Sequence, residues 1–186
     1  MKRFLAFFMV ICLALGTVGR ASASADGFGT QGFGVSEDGE HQMLEKTVTC
    51  SDNKSYSIQV TYKNTSGIPM TGTELLVKEI HPGDAGYEAY LDASAAKVGV
   101  DSENIAFTRV FDIQIVSAED HGVKYEPEGG VDVRITMNGS ALAEYDKIDV
   151  LHFTEDQSTK VDTVQNMNTE VSGETVALVT VPDWDC

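Results

Sequence analysis

The groups best equipped for chemistry in this chain are its many carboxylates, four histidines, three cysteines and one arginine set inside an apolar strand. His41, His81, His121 and His152 stand in separate segments, at no spacing that would bring two ring nitrogens onto one metal. A G-x-S-x-G nucleophile turn, an H-E-x-x-H zinc helix and a D-x-[DN]-x-[DN]-G calcium loop are all missing from the sequence. Glu119-Asp120 and Asp101 with Glu103 are the acid pairs best placed for a calcium contact. That ion takes about six to eight oxygens, so a solvated charged turn is the simpler account of either pair. Acids on different strands can also catalyse hydrolysis with no local motif, which keeps a secreted hydrolase among the readings.

Arg109 is the most informative single residue. It stands between Phe107 and Phe111, on a strand face completed by Ile105, Ile113 and Ile115. A charge on such a face needs a partner or a route to water. Two structural readings stay open: an ion pair with Asp112 or Glu79, or a β-bulge that turns the side chain outward. In both, Arg109, Phe107, Phe111 and Asp112 are structural residues, and Phe111 is a core anchor.

Cys12 falls in residues 1–25, read below as a signal peptide, so Cys50 and Cys186 remain as an even pair. A disulfide between them would tie the first strand region to the end of the chain; two free thiols fit the sequence equally well. Asn53, Asn64 and Asn138 each begin an N-x-[ST] sequon. They read as turn residues unless the chain passes through a eukaryotic secretory pathway.

The elements that must position these groups are mostly strands. Val131, Val133, Ile135 and Met137 alternate with Asp132, Arg134, Thr136 and Asn138, the period of two that a half-buried strand requires. Ile105–Ser117 alternates in the same way. Thr47–Cys50 and Tyr56–Tyr62 flank Ser51-Asp52-Asn53-Lys54 and read as a hairpin. Thr73–Ile80, Lys147–Thr154, Lys160–Gln165 and Thr175–Val181 are further short strands rich in Val, Leu and Ile.

One helix is expected after His81-Pro82-Gly83-Asp84, with Asp84 as its N-cap and Gly99 as its stop. Tyr87, Tyr90, Leu91, Ser94, Ala95 and Val98 form its stripe, and helical spacing favours packing over a ligand platform. Short strands, one short amphipathic helix and no βαβ alternation predict a mainly β chain, an antiparallel β-sandwich.

Residues 1–25 read as a secretory signal peptide. Lys2 and Arg3 precede the apolar run Phe4–Leu15, and Ala23-Ser24-Ala25 fits the cleavage site. Its removal from 186 residues leaves 161, which suits one domain. It also removes Lys2, Arg3 and Arg20 and no acid, so the formal charge goes from −16 to −19. That charge repels nucleic acid and anionic membrane. Residues 26–43, rich in glycine and poor in apolar content, are expected to be a flexible leader, with the β-sandwich domain over 44–186.

Several stretches, in order, carry a family resemblance. They are Gly67-Ile68-Pro69, Glu74 to Ile80, Tyr87-Glu88-Ala89-Tyr90-Leu91, Phe107 to Ile113, Tyr125-Glu126-Pro127, Val131-Asp132-Val133 and Val150-Leu151-His152-Phe153. Together they resemble a β-sandwich module that recurs in large surface proteins of gut Firmicutes, beside pilin-like and adhesin-like domains. The Ile-Pro loop is loosely similar to the ZU5 domain. The resemblance implies a bacterial, secreted or cell-surface module with a structural or adhesive role, no catalytic residues and no cofactor. Its partner would be a protein or glycan at the cell surface. A carbohydrate- or calcium-binding module, using tyrosine or Trp184 as a stacking platform, is the alternative. An L-P-x-T-G sorting signal is missing from the chain.

Overall fold

The structure, a computed structural model, describes Leu13–Ala14, Gln31–Val35, residues 39–105, 108–138 and 148–154, Thr163–Met167 and Thr175–Val181. The described chain is mainly β, and every strand pair is antiparallel. Strands β1 (Leu13–Ala14), β2 (Gln31–Val35), β3 (His41–Thr49), β4 (Ser55–Lys63) and β5 (Thr73–Glu79) precede helix α1 (Tyr87–Val98). A 3-10 turn at Ser102–Asn104 leads into β6 (Phe111–Ser117), β7 (Lys124–Tyr125), β8 (Val131–Asn138), β9 (Ile148–Thr154), β10 (Thr163–Met167) and β11 (Thr175–Val181). Three sheets result, ordered β11-β8-β4-β3-β2, β5-β6-β7 and β1-β9-β10.

Alternation along β4 and β8 sets the core. Tyr56, Ile58, Val60 and Tyr62 are buried on one face of β4, and Val131, Val133, Ile135 and Met137 on the same face of β8. These side chains join Leu75 of β5, Phe111, Ile113 and Ile115 of β6, and Val150 of β9 in one apolar cluster. A second cluster lies under α1, where Tyr87 and Tyr90 meet Ile80, Val110, Leu151 and Phe153. Tyr90 and Phe153 pack edge to face, with centroids 5.5 Å apart. The helical stripe thus faces inward on β9.

Several expected boundaries move, each for a physical reason. The strand expected from Ile105 begins at Phe111, because its ladder lasts only as long as its partner: Thr73–Glu79 pairs with Ser117–Phe111. Beyond that pair one bond remains, from Ile80 N–H to Val110 O at 2.9 Å, before His81-Pro82 turns away. The strand is also buried on both faces rather than half-buried: Val116 is fully enclosed, and Asp112 and Gln114 are 8% and 7% exposed. As the middle strand of its sheet, β6 is hydrogen-bonded on both edges.

Asp84 does not cap the helix. Gly86 occupies the N-cap at φ 94°, while the Asp84 carboxylate accepts the His81 N–H at 2.9 Å and stabilises the preceding turn. Gly99 does end the helix at φ 76°, and the N–H groups of Gly99 and Val100 both bond Ala95 O. The flexible leader expected over 26–43 is corrected in part, since Gln31–Val35 pairs with Lys46–Gln42 and β3 starts at His41. Ladder bonds to one neighbour offset the glycine entropy there, as an edge strand requires. Leu13–Ala14, inside the expected signal peptide, pairs with Asp149 and Ile148. Among the described residues no helix is long and apolar enough to cross a membrane.

Candidate functional site

The densest group of ionisable side chains forms where three segments converge: the β3–β4 turn, the end of β5 and the approach to β6. The turn is fixed locally. Cys50 N–H bonds Lys54 O, Asn53 N–H bonds Cys50 O, and Asn53 takes φ 60°, a conformation asparagine tolerates. Asp52 Oδ1 accepts the Lys54 N–H at 3.0 Å, a turn-closing bond of the Asx type. Its other oxygen, Oδ2, accepts the Tyr56 hydroxyl at 3.2 Å.

Glu79 closes β5 with its side chain on the core side of the sheet. Oε2 accepts the Ser51 N–H at 2.7 Å, and Oε1 accepts the Ser51 hydroxyl at 2.9 Å. His81 Nδ1 lies 3.3 Å from Oε2. Arg109 joins the two carboxylates: Nη2 is 2.7 Å from Asp52 Oδ2, and Nε is 3.5 Å from Glu79 Oε1. Nη1 donates to Thr108 O at 2.8 Å. The side chains of Arg109, Asp52 and Glu79 are only 13%, 17% and 8% exposed, so the pairs are shielded from water.

Electrostatics follow from that geometry. Burial alone would lower the pKa of Arg109, but Tyr56, Asp52 and Glu79 outweigh it and raise the value, so the guanidinium stays charged. Cys50 sits against the same group and is 3% exposed. Burial, followed by the Glu79 carboxylate, pushes its thiol well above the ordinary range, against the opposing pull of Arg109. A thiol so held is no thiolate nucleophile at neutral pH. Ser51 and His81 both contact Glu79, so the serine proton points at a carboxylate already held by arginine. A nucleophile–base pair needs the serine on the imidazole instead.

Arg109 therefore faces inward from the segment just before β6. It reaches Glu79, one of the two acids expected, but not Asp112; its closer partner is Asp52, which the sequence marked only as a turn residue. Asp112 lies on the opposite face of β6, across from Lys78 in the ladder, and takes Gln114 Nε2 at 2.8 Å on both carboxylate oxygens. Burial raises the pKa of Asp112, while the Gln114 bond, Lys124 and Lys78 act to lower it. Phe111 is fully buried and packs edge to face on Tyr56 at 5.6 Å. Phe107, Trp184 and Cys186 lie outside the described residues.

The acid pairs considered for calcium are placed apart from this group. Asp101 precedes the 3-10 turn that contains Glu103, and both are exposed. Asp120 Oδ1 accepts the Gly122 N–H at 2.9 Å, and the Glu119 and Asp120 N–H groups bond Ser117 Oγ. Among the described residues no group of three or more His, Cys, Asp or Glu side chains is arranged to hold a metal ion. His121 pairs with Glu74, and His152 is buried in β9. No family model matches the chain, and neither does any curated protein or solved structure.

Proposed function

We propose that the chain is a non-catalytic β-sandwich interaction module, exported by a bacterium and working outside the cell or at its surface, in a structural or adhesive role. The sandwich reading is supported by the single apolar cluster that β4 and β8 of one sheet share with β5 and β6 of another. Export is supported by the positive, apolar and small-residue segments of residues 1–25.

One observation carries the non-catalytic part. The Asp52–Arg109–Glu79 arrangement commits the best-placed acids, the serine and the histidine to one another across three segments. Such a shielded clamp holds a turn to the end of β5 and the approach to β6, and it engages these four side chains with arginine and with one another. Among the described tyrosines Tyr56, Tyr62, Tyr87 and Tyr90 are buried and Tyr125 is half-buried, so the fold offers little to a carbohydrate platform built on these rings.

The test is retention of the labelled, exported chain on cells of its source, measured as a saturable isotherm together with product release from those cells. Saturable retention with no released product is the expected result. Turnover abolished by Glu79→Gln in a variant that still folds would overturn the reading.

A further inference from the structure

We propose that the end of the molecule made by the 64–72 and 117–130 segments is a docking surface for a cationic protein segment with apolar side chains, anchored on Met70 and Val123. The proposal rests on the interaction-module reading and gives that module a face and a class of partner.

Met70 and Val123 are 55% and 45% exposed, the large hydrophobic side chains left in water among the described residues. They belong to different loops that the backbone fastens together. Thr73 is the ladder partner of Ser117, Ser117 N–H donates to Val123 O at 2.9 Å, and Ala118 N–H donates to Gly72 O at 2.8 Å. Met70 is three residues before that ladder pair, so both residues sit at the same end of the β5-β6-β7 sheet.

Both loops are held in place. The Thr73 hydroxyl donates to Pro69 O at 3.0 Å, and Ile68 is buried in the main core. Val123 N–H donates to Asp120 O at 2.9 Å, and Glu128 N–H donates to Ser66 O at 2.9 Å. Loops already fixed in this way lose little conformational freedom when a partner docks. A few side chains desolvated at the centre of such a fixed surface can carry most of the binding energy of an interface.

Charge selects the partner. Glu119, Asp120, Glu126 and Glu128, all in the 117–130 segment that carries Val123, are exposed. Of the nearby basic groups, His121 pairs with Glu74, and Lys124 is half-buried in β7. This end of the molecule thus combines exposed apolar side chains with four exposed acids, which complements lysine or arginine flanking an apolar side chain. Anionic lipid and nucleic acid meet the same sign of charge, and a second copy would set one acidic rim against another. Methionine and valine also lack the ring faces that sugars stack on.

Three synthetic peptides test this on the exported chain: alternating Lys and Leu, alternating Lys and Ser, and alternating Glu and Leu. Amide shifts and fluorescence anisotropy are read at low and physiological salt. The Lys-Leu peptide is expected to shift amides in 68–74 and 117–124 and to bind more tightly than both others. Met70→Ser with Val123→Ser should weaken it at least about tenfold. Glu119→Gln with Asp120→Asn should weaken it and flatten its salt dependence.

Val123→Lys, a single change at an exposed position, should repel the Lys-Leu peptide and admit the Glu-Leu one. Shifts spread over the whole acidic surface, or affinity unchanged in the Met70 and Val123 variants, would overturn the proposal. On cells, retention that survives these substitutions refutes this surface alone, whereas lack of retention by the parent chain refutes the module reading itself.

Discussion

Arg109→Ala is the perturbation that interrogates the fold most directly. It removes the cation between Asp52 and Glu79 while both carboxylates stay shielded, at 17% and 8% exposure. Breaking a buried pair from one side costs about 3–5 kcal/mol, because the partner charge is left behind without solvent. Here the cost belongs near the lower end, about 3 kcal/mol. Asp52 keeps the Lys54 N–H and the Tyr56 hydroxyl, and Glu79 keeps both Ser51 donors and His81. For a chain of this size that loss lowers the melting temperature by roughly 6–12 °C, at about 2–4 °C per kcal/mol.

Arg109→Met should cost a comparable amount while the acids stay charged, and less once Asp52→Asn and Glu79→Gln are added, since the uncompensated charges are then gone. Thermal and urea melts of the single, double and triple variants measure the coupling. A loss under about 1 kcal/mol for Arg109→Ala, additive with Asp52→Asn, would refute the reasoning by placing the guanidinium in solvent.

Other outcomes follow from the same packing. Phe111→Ala removes a fully buried ring from the Tyr56 contact and should cost about 3–5 kcal/mol in urea melts. Gly99→Ala places a Cβ in open space but at φ 76°, so the loss, about 1–2 kcal/mol in the same assay, is conformational alone. Asp112 has its folded pKa raised above the unfolded value, so its ionisation opposes folding as pH rises through that window. Asp112→Asn should therefore melt higher than the parent at neutral pH, with the difference closing near about pH 3, where the acid is protonated in both states.

How far the sequence could be read depended on whether the signal was local. The faces of β4 and β8 were legible because alternate burial is written along a single strand: Tyr56 to Tyr62 and Val131 to Met137 are buried in strict alternation. Gly99 was legible for the same reason, as a stop one residue past an apolar stripe. The start of β6 was not, since Ile105 continues the alternation while the ladder is limited by how far β5 extends. Asp84 carried a correct local signal that a neighbouring turn captured first. The leader's paired stretch was hidden because a glycine-rich edge strand owes its order to β3, a partner that its own composition does not reveal.

Asp52 shows why the central group escaped notice. It reads as one polar residue of a four-residue turn, and its bond to Lys54 is that of a turn residue. Its second role depends on Arg109, which arrives beside it only once β4, β8, β5 and β6 have gathered their apolar side chains into one cluster. Long-range ion pairs have no spacing rule, so chemistry at strand ends follows from topology rather than motif. The same topology gives the two ends of the β5–β6 pair opposite electrostatic characters. Where β5 ends, Arg109 neutralises acids that would otherwise repel each other, and the field there is largely internal. Near where β5 begins, Glu119, Asp120, Glu126 and Glu128 are exposed, so the strongly acidic chain presents charge there to whatever approaches.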